Sequence, residues 1–411
     1  MVEAVRFART QGLKIAVRGR GHSCIGVGLR DESLLIDLGR LTQVSIDSEA
    51  RVAAVQPAVT GWDLNNELAP HGLAFPVGHC PSVPLSGFLL NGGLGFNSNS
   101  WGPACFSLQA ATVVTADGNM VVANHEQHAD LFWALRGAGP GFFAVAIQYV
   151  LKLYTAPRAI TTSTYYYSLQ QIEEVGAWAG CVARQMPNEV ELNIFFVPAP
   201  PALAEECGSS NGFVAILTAT AFVDTTQEAT ATLSLLETCP VVPECLQKEV
   251  NQPTQFAALL KKSGRLWPER HRYLAETLWS DSPPAQLLGI VRDYFLQAPS
   301  TKSVAGCSFS TGVAGNSTIL PEAAFSMTAG ALLLYYAIWE RPEDDASNAA
   351  WHQEMLASLD PFAAGHYVGE SDIASNPVRA ERSFIPTHWR RLQALRRRYD
   401  PEALFHGYFS A

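Results

Sequence analysis

A chain of 411 residues is too long for a single hydrophobic core, so two domains, or one domain with a large lobe, are expected. An apolar fraction of 48% beside 16% charged residues fits a folded soluble protein, and a net charge of −10 without an extended Lys/Arg run gives no nucleic-acid footprint. No uncharged apolar stretch reaches the roughly 18 residues of a membrane span, and eight cysteines are too sparse for a disulfide scaffold.

In chain order, MVEAVRFARTQG reads as an amphipathic helix over 2–10 and not as a secretion signal. The β-type runs KIAVRG, SLLIDL, ARVAAVQP, ATVVTADG and FAVAIQYVLKLY then alternate with glycine clusters, and helices fit 60–70 and 128–136. Asp117-Gly118, between ATVVTA and NMVVAN, marks a hairpin. The rhythm changes near residue 155. TTSTYYYSL, ELNIFFVP, GFVAILTATAFV and ALLLYYAIWER read as strands, with helices over 169–186, 226–237 and 345–358 between and after them. That pattern predicts one sheet covered on one face. The stretch 265–327, rich in Pro, Ser and Gly, gives no pattern. Cys239 and Cys245 could pair across the turn CPVVPEC or stand as free thiols. A helix over 386–399 carries Arg390, Arg391, Arg396, Arg397 and Arg398, read as a solvated basic face in preference to a phosphate site.

Three glycine-rich loops hold the residues that could carry chemistry. RGRGHSCIGVG, residues 18–28, follows the strand KIAV. Glycine lets backbone N–H groups approach an anion closely, so the loop is either a phosphate nest or a turn without a ligand, and spacing alone does not choose. It is not the dinucleotide fingerprint, since no helical pattern follows. The second loop, VGHCPSVPLSGFLLNGGLGFNSNSWGPAC over 77–105, adds Cys80 and the amides of Asn91, Asn97 and Asn99. The third, DLFWALRGAGPGFFAVA over 130–146, is a helix ending at Gly137 that leads into an apolar strand. Each alone is more often structural than functional. Together they suit a large, anionic, planar cofactor threaded between loops. His79 beside Cys80, with no second pair at metal-site spacing, does not make a zinc site, and no metal is expected.

At these residues the chain resembles the berberine-bridge-enzyme-like flavoproteins of the vanillyl-alcohol-oxidase superfamily, which carry a PCMH-type FAD-binding domain. RGRGHS looks like the R-G-G-G-H-S loop whose histidine bonds the flavin 8α-methyl, which carries over to His22. CPSV looks like the C-x-x-V/I element whose cysteine bonds flavin C6, which carries over to Cys80. LNGGLGFNSNSWGPAC resembles the G-G-G-x-G segment near the isoalloxazine, DLFWALRGAGPGFFAV the segment closing the FAD site, and HWRRLQALRRRYDPEALF the family's terminus. The resemblance implies an α+β fold: an FAD-binding domain of two α+β subdomains over 1–157, and a substrate-binding domain over 158–375 whose antiparallel sheet is covered by helices. A segment over 376–411 returns to the first domain. It implies FAD, held by Arg18, Gly19, Arg20, Gly21, His22, Ser23 and Gly26 in the first loop. Cys80, Val83, Gly87, Asn91, Gly92, Gly93 and Gly95 serve in the second, with Val145 beyond the third. Arg20 replaces the loop's second glycine. Pro84, Leu85 and Ser86 precede Gly87 where glycine usually follows C-x-x-V at once, and the start looks shortened against the family.

The same resemblance implies hydride transfer from a substrate C–H to flavin N5. The favoured substrate is a hydroxyl-bearing carbon of a carbohydrate or a secondary metabolite. GHYVGESD, residues 365–372, is similar to the family's Y-x-N-x-x-D strand with Gly369 where asparagine is usual, and makes Tyr367 the expected base or substrate contact. A tyrosine ionises near about 10, so a base role needs a cation or donor beside it. Tyr335, Tyr336 and Trp339 are weaker candidates, and alternation lets at most one of the two tyrosines face the flavin. Val83, three after the cysteine, favours O2 as acceptor and hydrogen peroxide as product. The alternatives are a dehydrogenase, an oxidative cyclisation or desaturation without an alkoxide base, and a degenerate flavin-binding protein.

Overall fold

The computed structural model describes residues 1–203, 212–312 and 320–409. The chain divides into two compact units, one of Met1–Ala156, Ile319–Met327 and Tyr367–Ala411, the other of Pro157–Thr318 and Thr328–His366.

In the first unit the opening helix, Val2–Gln11, ends at Gly12 in a left-handed C-cap. Strands Lys14–Arg18 and Ser33–Asp37 pair in parallel, and the long loop between them is the first glycine cluster. Five antiparallel strands follow in the order Val44–Asp47, Val52–Val55, Ala144–Lys152, Leu108–Thr115, Met120–Asn124. The hairpin expected at Asp117-Gly118 forms with Gly118 at φ 76°. Val5, Ala8, Ile15, Ile36, Val114 and Val145 make a shared core, so helix and both sheets bury their apolar sides together. The tail closes the unit, because Ile15 N–H donates to the Leu404 carbonyl at 2.7 Å and His406 N–H to the Ile15 carbonyl at 3.0 Å. The basic helix Pro386–Tyr399 is held by acids: Arg391 and Arg398 reach Asp130 at 3.1 and 3.0 Å, and Arg391 also reaches Glu322.

In the second unit the described residues form a seven-stranded antiparallel sheet. Its order is Gln247–Thr254, Ala159–Tyr167, Phe213–Val223, Val190–Pro198, Val304–Phe309, Ala331–Trp339, Arg272–Ser280. Helices Ile172–Val182, Pro284–Phe295 and Asp345–Leu359 bury their apolar sides against one face of it. Alternation splits the tyrosine pair as expected. Tyr335 lies in the helix-covered core against His352, with ring centroids 5.1 Å apart, and Tyr336 on the other face meets Trp267 at 4.5 Å. Trp339 is also core, its Nε1 donating to Asp345 at 2.7 Å. Cys239 and Cys245 are free thiols.

Helices Ile172–Val182 and Pro284–Phe295 approach closely because glycine leaves the space. A Cβ at Gly176 would lie 2.7 Å from Leu288, and one at Gly180 2.9 Å from Pro284. Gly176→Val is therefore expected to destabilise the fold by about 1–3 kcal/mol through overpacking, measured by denaturant unfolding. An unchanged midpoint would show that the helices can part freely.

Candidate active site

Loop residues from distant parts of the first unit meet around one hydroxyl. His22, exposed in the first loop, places Nε2 at 3.2 Å from Ser82 Oγ, and Cys80 places Sγ at 3.3 Å from the same oxygen. The turn C-P-S-V makes this possible, since Val83 N–H donates to the Cys80 carbonyl at 3.3 Å and folds Ser82 back over the cysteine. The Val83 carbonyl in turn takes Gly61 N–H at 3.0 Å and anchors the turn to the helix Gly61–Leu68. A hydroxyl carries one proton, so Ser82 can donate to one neighbour while accepting from the other. The electrostatics select the direction. A hydrogen bond with Cys80 raises the His22 pKa. Burial pushes the Cys80 thiol up, yet bonds from His22 and Ser82 outweigh it and hold the thiol below its usual value. Both shifts favour a proton on the imidazole and negative charge on the sulfur, which fits Nε2–H donating to Oγ and Oγ–H to sulfur.

Pro84 fits where it stands. It is the N-cap of the helix Leu85–Leu90, an extended position at φ −78° that needs no N–H for the helix. That helix sets Ser86 and Asn91 against the loops. Among the described residues Ser86 Oγ and Asn91 Oδ1 are buried with no hydrogen-bond partner, and a Cβ at Gly19 would overlap the Ser86 hydroxyl. Orphaned polar atoms of this kind call for a ligand that can pair with them. Gly21 and Gly26 take φ of 74° and 64°, and a Cβ added at either would meet no atom closer than 3.6 Å, so the first loop offers open backbone. FAD, with phosphates for amides and a ring edge of donors and acceptors, fits these residues.

The expected glycines divide into two kinds. Gly87 has open space around it, with only Asn91 Nδ2 at 4.0 Å. Gly92 lies under the Phe325 ring, a Cβ at Gly93 would stand 2.8 Å from Ala104, and one at Gly95 would overlap the Val77 carbonyl. These three are glycine because protein packs on them. Arg18 pairs with Asp37 at 2.7 Å and Arg20 lies 3.8 Å from Asp63. The Ser23 carbonyl takes Gly26 N–H at 3.2 Å. Val145 has its side chain in the core.

Tyr367 departs from expectation in its setting. The segment after Gly365 is not a strand: Glu370 and Ser371 N–H both bond the Tyr367 carbonyl at 3.1 Å, which makes a turn in place of a ladder. The ring is buried in the first unit, and its hydroxyl accepts Gly93 N–H at 3.4 Å. Burial drives the phenol pKa well up, and the Glu370 charge adds to this. Glu370 also acts on His22. Sequence reading missed Ser82, Ser86 and Glu370. For Ser82 the available signal was its place two residues from Cys80.

Residues 1–124 match the family described as FAD binding domain. The FAD-linked oxidoreductase ptmO of Penicillium ochrochloron is 27% identical over 399 residues, 97% of this chain and 85% of that protein. Xylooligosaccharide oxidase of Thermothelomyces thermophilus is 35% identical over 201 residues, 46% of this chain and 40% of that one. The crystal structure of 6-hydroxy-D-nicotine oxidase from Arthrobacter nicotinovorans superposes with a TM-score of 0.83 at 21% identity, covering 100% of this chain and 89% of its own. Domain match and architecture define a PCMH-type flavoprotein, and the whole-length relative makes it an oxidoreductase. Within that class the chain resembles the berberine-bridge-enzyme-like FAD-linked oxidoreductases.

Proposed function

We propose that the protein is an FAD-dependent oxidase acting on a hydroxyl-bearing carbon of a carbohydrate or secondary metabolite, with its flavin joined covalently to His22 and Cys80. The observation that carries this reading is the His22–Ser82–Cys80 chain, in which two nucleophiles 58 residues apart in sequence share one hydroxyl. When bound, the flavin supplies the hydride acceptor at N5 and hands the electrons to O2, releasing hydrogen peroxide. The protein's part is to hold the ring and to move a proton. The open backbone of Gly21 and Gly26 would hold the cofactor, with Ser86 and Asn91 behind it. Tyr367, its oxygen pinned by Gly93 N–H, takes the substrate's hydroxyl proton or positions that hydroxyl.

The family resemblance supports the choice of O2, because a valine three residues after the cysteine, here Val83, goes with oxygen access to the flavin in that family. The carbohydrate option draws on the xylooligosaccharide oxidase match, and the secondary-metabolite option on the likeness to ptmO. Turnover of a panel of sugars and phenolic or polycyclic alcohols is expected to release peroxide in step with substrate oxidation. Val83→Ile is expected to slow reoxidation by O2 while sparing reaction with a dye acceptor. Turnover with the dye alone, in the unaltered protein, would make it a dehydrogenase.

A further inference from the structure

The irregular loop 19–32, which carries His22, is gripped at its far end by a segment 377 residues further along the chain. Inside the loop two backbone bonds close turns, Gly26 N–H to the Ser23 carbonyl at 3.2 Å and Leu29 N–H to the Gly26 carbonyl at 2.7 Å. Neither ties the loop to the rest of the unit. Arg30 does so. Its Nε donates to the Val27 carbonyl, within the loop, and its Nη2 to the Gly407 carbonyl, both at 3.4 Å. The guanidinium carbon lies 3.3 Å from the centre of the Phe409 ring, as a cation stacked on an aromatic face. Burial lowers the Arg30 pKa, so the cation is partly withdrawn from water, the setting that strengthens such a pair. Just past the loop, Ser33 Oγ gives its proton to the Asp31 carbonyl at 2.9 Å and therefore accepts from His406 Nε2–H at 2.6 Å. The same short segment grips the third glycine loop. The Tyr408 hydroxyl donates to the Ala138 carbonyl, and a Cβ at Gly141 would overlap the Tyr408 ring.

We propose that residues 406–409 are a clasp joining the first glycine loop to the third, and that Arg30 and Phe409 are positioning residues which hold His22 in place for flavin attachment. Fixing an irregular loop of this length costs conformational entropy at every residue, so its order needs an anchor. The stack and the carbonyl bond act at one end of the loop. They leave the backbone at Gly21 and Gly26 open, whereas a lid packed on the loop would cover it. The part that concerns His22 rests on the FAD reading above. The clasp itself needs no cofactor, and the two are tested apart.

Arg20 is exposed within the loop, so tryptic cleavage after it reads how often the loop opens. In the apoprotein, Phe409→Ala is expected to speed that cleavage about tenfold while the melting temperature stays close to the parent's. Phe409→Tyr should restore the parent rate and Phe409→Leu should not, because only tyrosine offers the ring face. Arg30→Met, made from the loop side, should match Phe409→Ala, and the two together should be no faster than either. Should Phe409→Ala fail to fold, Arg30→Met decides. Unmoved cleavage after Arg20, or full recovery in Phe409→Leu, overturns the clasp. In the holoprotein the fraction of His22 carrying flavin, counted by peptide mass, is expected to fall in Phe409→Ala and recover in Phe409→Tyr. Faster cleavage with His22 linked as fully as in the parent overturns the positioning role alone. Unaltered protein that purifies without flavin overturns the FAD reading and the positioning role with it, while the cleavage result still decides the clasp.

Discussion

Acid-denatured protein is expected to carry its yellow colour into the pellet, with an intact mass higher by one FAD, whereas His22→Ala/Cys80→Ala releases all of its flavin to the supernatant. Each single variant should keep one bond, and so retain colour after denaturation while changing the absorption spectrum differently. The expectation follows from the shared hydroxyl. With Ser82 accepting from His22 Nε2–H and donating to Cys80, the sulfur is the end of a proton chain and its pKa is held down against burial. A thiol held below its usual pKa is more nucleophilic than Cys105 and Cys307, which burial pushes up. Apoprotein treated with iodoacetamide at pH 7 should therefore be alkylated at Cys80 well before either buried thiol. Ser82→Ala removes the relay from both nucleophiles at once, so the doubly linked fraction is expected to fall while Ser82→Thr preserves it. Colourless pellets from the unaltered protein, or a Ser82→Ala protein linked as fully as the parent, would remove the basis for this role.

Which features were legible in the sequence follows from what kind of signal each gives. Val190–Pro198, Phe213–Val223 and Ala331–Trp339 are long apolar runs, and their packing under helices follows directly from that pattern. The stretch 265–327 hid two strands of the same sheet for specific reasons. Arg272–Ser280 carries Glu276 fully buried in its middle, which breaks the apolar run. Val304–Phe309 contains Gly306, bare because Phe195 of the neighbouring strand lies across it, with a Cβ there 2.7 Å from that ring. The edge strand Gln247–Thr254 is polar apart from Val250 and Pro253, and a proline there is tolerated at an edge. The site shows the same limit. Glycine density at 92–95 announces close approach but not by what, and here the neighbours are Phe325, Ala104 and Val77. Ser86 is invisible in sequence and Ser82 is signalled only by its nearness to Cys80, because their importance arises when loops some sixty residues apart close on them.

Tyr367→Phe is expected to lower kcat/KM for an alcohol substrate by about 10²–10⁴-fold, the usual worth of a positioned proton acceptor. The buried setting makes a second, sharper expectation. Burial is the main influence on the phenol and raises its pKa; Glu370 raises it further, while the Gly93 and Leu94 amides pull the other way. A base acts in its deprotonated form, so a raised pKa moves the rising limb of the pH–rate profile to higher pH. Activity should therefore climb through the alkaline range without levelling off below about 10, the ordinary tyrosine value. Glu370→Gln removes a negative charge that favours the protonated phenol, and should shift that limb to lower pH and raise the rate at a fixed pH of 8. Because Glu370 is exposed, the shift should shrink as salt is added. A profile that is flat across this range, together with a Tyr367→Phe enzyme as fast as its parent, would show that no alkoxide has to form. The chemistry would then be direct C–H oxidation, as in ring closure or desaturation. Tyr367 would in that case serve only to brace the glycine loop through Gly93.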